Sequence, residues 1–139
     1  LGAIARTAEC MGAHALLLPE QGSARLNADA VKTSAGALHH LPVCRVRTVK
    51  AALALLAASG VHTLGLTEKA PGPLPEADLS GPLCLVLGDE GFGLSPEALK
   101  ACQALAHLPM RGRIGSLNVS VAAGMALYEA ERQRADKIY

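Results

Sequence analysis

Aromatic side chains are almost absent from this sequence, which has one phenylalanine, two tyrosines and no tryptophan. Nucleic-acid readers of the RRM and OB types stack bases on exposed aromatic rings. With only Phe92, Tyr128 and Tyr139 available, the composition disfavours a base-stacking RNA platform. The formal net charge of +1 argues neither for nor against a nucleic-acid partner, since only a strongly basic domain would be informative.

Paired motifs for metals and disulfides are missing as well. Cys10, Cys44, Cys84 and Cys102 are far apart and form no C-x-x-C pair. This favours reduced core thiols in a cytoplasmic protein over a zinc site or a disulfide framework. The five histidines show no H-x-x-x-H or H-E-x-x-H spacing, so we expect no metal. The longest apolar run, residues 51–58, is too short to cross a bilayer, so we expect no membrane partner.

What the sequence does contain is an alternation of helical and strand patterns. A chain of 139 residues that is 50% hydrophobic can bury the core of a single domain. We predict helices at residues 3–12, 27–38, 49–59, 95–102 and 118–135, and strands at residues 14–18, 42–46, 61–66, 83–87 and 105–108. This order predicts an α/β fold with a parallel sheet and helices on both faces. Residues 67–82 hold four of the eight prolines, which predicts a surface loop.

Two loops follow predicted strands and are close together in the sequence, at residues 88–93 and 108–117. Loops at the carboxyl ends of strands bind ligands in open α/β sheets, so we expect the functional site there. The first loop, GDEGFG, departs from the dinucleotide fingerprint because Glu90 would repel a pyrophosphate. It suits a ligand held by main-chain groups, such as an adenine edge.

The second loop leads into a helix through Ser116, Leu117 and Asn118. Asn118 is a good helix-capping residue. Ser116 lacks the G-x-S-x-G context of a hydrolase nucleophile. Arg111 and Arg113 lie in the same loop; they are either solvated loop residues or RNA contacts.

Three blocks of the sequence resemble the three motifs of the SpoU family of RNA 2'-O-ribose methyltransferases, in the SPOUT superfamily. They are LGAIARTAECMGAHALLLP at residues 1–19, LCLVLGDEGFGLS at residues 83–95 and LPMRGRIGSLNVSVAAGMALYEAERQR at residues 108–134. Order and spacing agree over nearly the full chain, and the third block is highly specific. The stretch KTSAGALHHLPVCRV, residues 32–46, is most similar to the branch that methylates a guanosine of 23S ribosomal RNA.

The resemblance implies a deep trefoil knot at the C-terminal end, S-adenosyl-L-methionine bound in the knot, and a homodimer. It implies that backbone of the knotted loops holds the cofactor, at the matching positions Thr67, Gly88, Leu108, Met110 and Leu117. It also places four motif residues near the reacting centre: Arg6, Glu90, Ser116 and Asn118. For the homodimer we expect the last helix to offer small packing residues, Val119, Ala122, Ala123 and Ala126.

In the family the first motif begins before Leu1, with an asparagine and a preceding strand. We therefore expect residues 1–139 to be a catalytic domain that lacks its natural first strand and any upstream RNA-binding domain. A guanidinium stays protonated in proteins, so we expect Arg6 to clamp an RNA phosphate or stabilise the developing alkoxide rather than act as a base. Asn118 either orients the reacting hydroxyl or loop backbone, or is a plain helix cap.

Three other functions remain open from the sequence. Transfer-RNA 2'-O-methyltransferases share the three motifs. A Rossmann-like enzyme would bind NAD and not S-adenosyl-L-methionine. A non-catalytic relative would bind RNA without transferring a methyl group.

Overall fold

The computed structural model describes residues 2–20, 39–88, 93–113, 115 and 117–138. Helices and strands follow one another as α1 (Gly2–Cys10), β1 (Leu16–Pro19), β2 (Val43–Val46), α2 (Val49–Ala58), β3 (His62–Leu66), a 3-10 turn (Leu74–Glu76), β4 (Leu83–Val86), α3 (Pro96–Ala101), β5 (Ala104–Ala106) and α4 (Val119–Ile138). The α/β prediction is confirmed over these residues. The helix predicted at residues 27–38 lies outside the described part of the chain.

All described strands pair in parallel. β1 pairs with β2, and β3 lies between β4 and β5. Thr63 and Leu64 on β3 are both fully buried, as expected for a central parallel strand covered on two faces. Gly65 is equally constrained, because a Cβ there would come within 2.8 Å of a Leu105 methyl group.

Local capping sets two of the helix starts. Thr48 Oγ1 accepts the Ala51 amide at 3.1 Å at the start of α2. Ser95 Oγ accepts the Ala98 amide at 3.1 Å at the start of α3. In both cases the side chain satisfies one of the amides that a first helical turn leaves unpaired, so these predicted starts are confirmed.

Residues 67–82 form the surface loop that their prolines predict, since half of them are exposed and only a 3-10 turn interrupts the loop. Leu74 and Leu79 are buried and join Leu64 and Ala126 in the main hydrophobic cluster. Gln133 of α4 fixes this stretch, since its Oε1 accepts the Leu79 amide at 2.8 Å and its Nε2 donates to the Ala77 carbonyl at 3.0 Å. The surface loop is therefore anchored to the core and to α4 at these few positions, which the proline pattern does not predict.

The cysteines divide into two kinds. Cys84 and Cys102 are half-buried, and burial raises the pKa of both thiols. Cys10 and Cys44 are exposed, so the expectation of core thiols was wrong for these two. Over the described residues the cysteines are unpaired, no helix is long and apolar enough to span a membrane, and no three metal-binding side chains cluster.

Candidate functional site

Three strands end at the same edge of the sheet. Thr67 directly follows β3, while Gly88 and Leu108 each follow the last residue of β4 and β5 by two positions. The pairing of Gly65 with Val86, continued by two residues, sets Thr67 level with Gly88. The structure therefore brings together three of the five expected cofactor residues, which lie far apart in the sequence.

Thr67 shapes this edge through its own hydrogen bonds. Its amide donates to the Ala106 carbonyl at 2.9 Å, and its carbonyl accepts the Ala70 amide at 3.2 Å. Its hydroxyl oxygen accepts the Lys69 amide at 3.2 Å. Thr67 is only 8% exposed, so it fixes the backbone that leaves β3.

His107 is a site residue that sequence reasoning missed. Its Nδ1 lies 2.9 Å from the Ala70 carbonyl, and because a carbonyl only accepts, this nitrogen carries the proton. Its main chain exchanges hydrogen bonds with Gly72 and Leu74, at 3.0 and 2.7 Å. His107 thus ties the segment after β3 to the end of β5, next to Leu108. No spacing pattern in the sequence marks this role.

Position 88, after the end of β4, has room only for glycine. A Cβ at this position would overlap the backbone of Gly93 and Leu94. Gly93 itself has φ +68°, a conformation that glycine adopts at little cost. The backbone leaving β4 therefore returns to contact its own start, and this close approach explains the glycine before any ligand is considered.

The connection from β5 to α4 is largely exposed. Leu108 packs its side chain against the main core, which leaves its backbone at the sheet edge. Met110 and Leu117 are 41% and 39% exposed, so the connection carries exposed apolar side chains. Arg111 and Arg113 are exposed, and neither forms an ion pair with any described residue.

A second group of expected site residues lies where α1 meets α4. Asn118 Oδ1 accepts the Ser120 amide at 2.8 Å, so its predicted capping role is confirmed. Ser120 Oγ donates to the Ala3 carbonyl at 3.0 Å, which sets the first turns of the two helices side by side. Arg6 follows Ala3 by about one turn and is exposed. Arg6 and Asn118 therefore belong to one junction, whereas Glu90 and Ser116 lie outside the described residues.

The electrostatics of this junction favour an anionic ligand. The positive end of the α4 dipole lies at Asn118. Arg6, Arg111 and Arg113 add three exposed cations on or beside the same segment. Amides and cations at a helix start bind phosphate groups well. The arrangement can hold a phosphate backbone next to a sheet edge that offers main-chain groups.

A groove of about 530 Å³ lies along the α1–α4 contact, and its lining includes Thr7, Ser120, Gly124 and Tyr128. The α4 side chains Val121, Met125 and Tyr128 are 51%, 44% and 67% exposed. Of the four small residues expected to pack in a homodimer, Val119 and Ala122 are partly exposed, but Ala123 and Ala126 are 3% and 0% exposed and so pack within this chain. That part of the expectation was wrong.

Comparison with known proteins gives a consistent result. The family described as the SpoU rRNA Methylase family matches residues 1–128. The chain is 45% identical, over 96% of its length, to an uncharacterized tRNA/rRNA methyltransferase of Synechocystis sp.. It is 41% identical, over 96% of its length, to the 23S rRNA (guanosine-2'-O-)-methyltransferase RlmB of Photorhabdus laumondii. It spans 35% and 55%, respectively, of those two relatives.

The fold agrees with a solved structure as well. The SpoU methyltransferase AviRb from Streptomyces viridochromogenes, in complex with the cofactor AdoMet, superposes with a TM-score of 0.88. The two sequences are 31% identical, and the match covers 97% of this chain and 55% of that one.

Proposed function

Since the chain belongs to the SpoU rRNA methylase family, we propose that it is the catalytic part of an enzyme that methylates a ribose 2'-hydroxyl of RNA, with S-adenosyl-L-methionine as cofactor. One observation carries the proposal. Along the chain, only residues 109–117 separate Leu108 at the sheet edge from Asn118, which starts α4 where that helix contacts α1. A main-chain edge suited to a nucleoside is thus linked by one short connection to a helix junction that carries Arg6.

The cofactor fits the sheet edge. Gly88 lies so close to the backbone of Gly93 and Leu94 that it has no room for a side chain, and Leu108 packs its side chain against the core. Both positions therefore offer main chain to a ligand. Met110 and Leu117 offer exposed apolar surface beside it, and Thr67 holds the edge in shape. When bound, the cofactor supplies an electrophilic methyl group on a sulfonium.

The helix junction is suited to orient the RNA. Arg6 can grip a phosphate through two hydrogen bonds, or stabilise charge on the attacking oxygen. Asn118 uses its side-chain oxygen for the helix cap, so its amide nitrogen is the group that can donate to the ribose. We assign Glu90 and Ser116 to the reacting centre on sequence similarity alone. Arg111 and Arg113 extend the cationic surface along the RNA.

For the substrate we propose a guanosine of 23S ribosomal RNA, which places the enzyme in the cytoplasm. The similarity to a protein named as that methyltransferase supports this. The Synechocystis relative is named a tRNA/rRNA methyltransferase, so transfer RNA is the alternative substrate. The test is to incubate the full-length protein with unmodified total RNA and to map new 2'-O-methyl groups. A group in 23S RNA is expected; one only in transfer RNA favours the alternative, and none contradicts the proposal.

We also propose that the sheet is covered by helices on both faces and that the C-terminal part of the chain is knotted. Residues 67–82 contact both segments that such a knot brings together. Gly72 and Leu74 bond to His107 at the end of β5, and Ala77 and Leu79 bond to Gln133 on α4. The loop is thus anchored to the end of β5 and to α4, the two segments that a C-terminal knot would bring against it.

S-adenosylhomocysteine, the product form of the cofactor, should raise the melting temperature. A ligand that binds only the native state at 100 times its dissociation constant stabilises by about 2.7 kcal/mol. For a domain of this size that corresponds to roughly 8–10 °C. Differential scanning calorimetry measures the shift, and NAD at the same concentration is the control. A shift with NAD alone would point to a Rossmann-like oxidoreductase.

The protein should form a homodimer through the exposed face of α4 defined by Val121, Met125 and Tyr128. Apolar residues spaced at four and three positions form one stripe on a helix, and a contiguous exposed stripe marks an interaction surface. Sedimentation velocity should show a dimer at micromolar concentration. Met125→Asp should weaken dimerisation at least tenfold, about 1.4 kcal/mol, because it buries an unpaired charge.

Leu55→Asp is the matched control. Leu55 is 69% exposed on α2, so its replacement adds the same charge away from the stripe and should leave the dimer intact. A wild-type protein that stays monomeric across the micromolar range would contradict the homodimer. Equal weakening by both variants would assign the effect to net charge rather than to α4.

A further inference from the structure

Two hydroxyl groups join α1 to α4. Thr7 Oγ1 lies 2.9 Å from Ser120 Oγ, and Ser120 Oγ donates to the Ala3 carbonyl at 3.0 Å. A serine hydroxyl has one proton. Because Ser120 donates it to the Ala3 carbonyl, the Thr7 hydroxyl must be the donor in its hydrogen bond with Ser120. The result is a directed chain of two hydrogen bonds from Thr7 through Ser120 to the first turn of α1.

The same threonine also lies against α4 at Gly124. A Cβ on Gly124 would come within 3.2 Å of the Thr7 methyl group, so the glycine lets the two helices pack tightly at this point. Ala5 and Ala123 are likewise small and buried, at 0% and 3% exposure. The methyl group of Thr7 faces Gly124, while its hydroxyl bonds to Ser120 and so sets the position of α1 along α4.

Both ends of this connection lead to expected site residues. Arg6 is the residue before Thr7, so its backbone moves with that of Thr7. Ser120 gives its amide proton to Asn118 Oδ1 at 2.8 Å and its hydroxyl proton to Ala3. Ser120 therefore belongs to the cap of α4 and to the first turn of α1 at once. These hydrogen bonds therefore help to set the relative position of Arg6 and Asn118.

We infer that Thr7 and Ser120 are positioning residues that hold Arg6 at a fixed distance from Asn118, without touching cofactor or RNA themselves. This rests on the proposed methyltransferase function. In-line methyl transfer depends on alignment, and a displacement of about 1 Å can cost about 10²-fold in rate. Cofactor binding at the ends of β3, β4 and β5 does not depend on the α1–α4 register. The pair should therefore affect turnover and not cofactor affinity.

The test uses the full-length enzyme with two substitutions of Thr7, one of Ser120 and one control. Thr7→Val keeps the shape and removes the hydroxyl, whereas Thr7→Ser keeps the hydroxyl and removes the methyl group. Ser120→Ala removes the acceptor, and Ser59→Ala, which removes an exposed hydroxyl at the end of α2, is the matched control. For each variant we would measure the cofactor dissociation constant by calorimetry and the single-turnover rate on saturating unmodified ribosomal RNA. Sedimentation checks that the assembly state is unchanged.

Thr7→Val and Ser120→Ala should lower the single-turnover rate by about 10- to 100-fold, with cofactor dissociation constants within about twofold of wild type. Thr7→Ser and Ser59→Ala should stay close to the wild-type rate. An unchanged rate in Thr7→Val, equal damage from Thr7→Ser, or a parallel loss of cofactor affinity overturns the inference. A wild-type enzyme that methylates no RNA overturns the proposed function, which separates the two failures.

Discussion

Replacement of Arg6 by alanine should lower the single-turnover rate of methyl transfer by about 10²–10³, as the loss of one oxyanion donor does. The dissociation constant of S-adenosyl-L-methionine should stay within about twofold of wild type. The reason is the separation of the two groups of site residues. Arg6 is exposed on α1 at its junction with α4, whereas Thr67, Gly88 and Leu108 form the sheet edge.

Two further variants show which property of Arg6 matters. Arg6→Lys keeps the charge but loses the planar fork that binds a phosphate through two hydrogen bonds, so it should restore only part of the rate. Arg47→Ala removes the same charge from an exposed position after β2 and should have a smaller effect. Calorimetry and single-turnover kinetics are measured on each protein. A wild-type rate in Arg6→Ala removes Arg6 from the site, and a matching loss of cofactor affinity reassigns it to cofactor binding.

The parts of the fold that depend on neighbouring residues could be predicted from the sequence. Capping needs only a side chain and the amides a few residues on, so the helix starts beside Thr48 and Ser95 and the cap at Asn118 could be predicted. Alternating elements imply parallel pairing, which brings strand ends to one edge and so unites Thr67 with Gly88. These inferences need no knowledge of what covers each element.

The parts that depend on distant residues could not be predicted. The hydrogen bond from His107 to Ala70 spans 37 residues, and that between Thr7 and Ser120 spans 113. Leu79 is buried because Gln133 and the core hold a proline-rich stretch in place, and composition alone favours exposure there. Similarly, small residues on α4 predict close packing but not the partner, and for Ala123 the partner is this same chain.

Gly88→Val should abolish cofactor binding, and Gly88→Ala should already weaken it by at least about 100-fold, or 2.7 kcal/mol. From the sequence, glycine here suggests close approach of a ligand to the backbone. The structure gives a more immediate cause, because the first carbon of any side chain would overlap the backbone of Gly93 and Leu94. The loop has to open before alanine fits, and the edge beside Thr67 and Leu108 changes shape with it.

Gly81→Ala is the matched control, because a Cβ at Gly81 would meet no atom within 4 Å. Cofactor affinity is measured by calorimetry, and thermal unfolding of each variant is measured beside it. Gly88→Ala should stay folded, because the overlap is confined to the backbone of Gly93 and Leu94. Its free energy of unfolding should fall by roughly 1–3 kcal/mol, as is typical of local backbone strain. Gly81→Ala should match wild type in both measurements. Wild-type cofactor affinity in Gly88→Ala would mean that the turn after β4 lies apart from the cofactor, and the sheet-edge site would have to be abandoned.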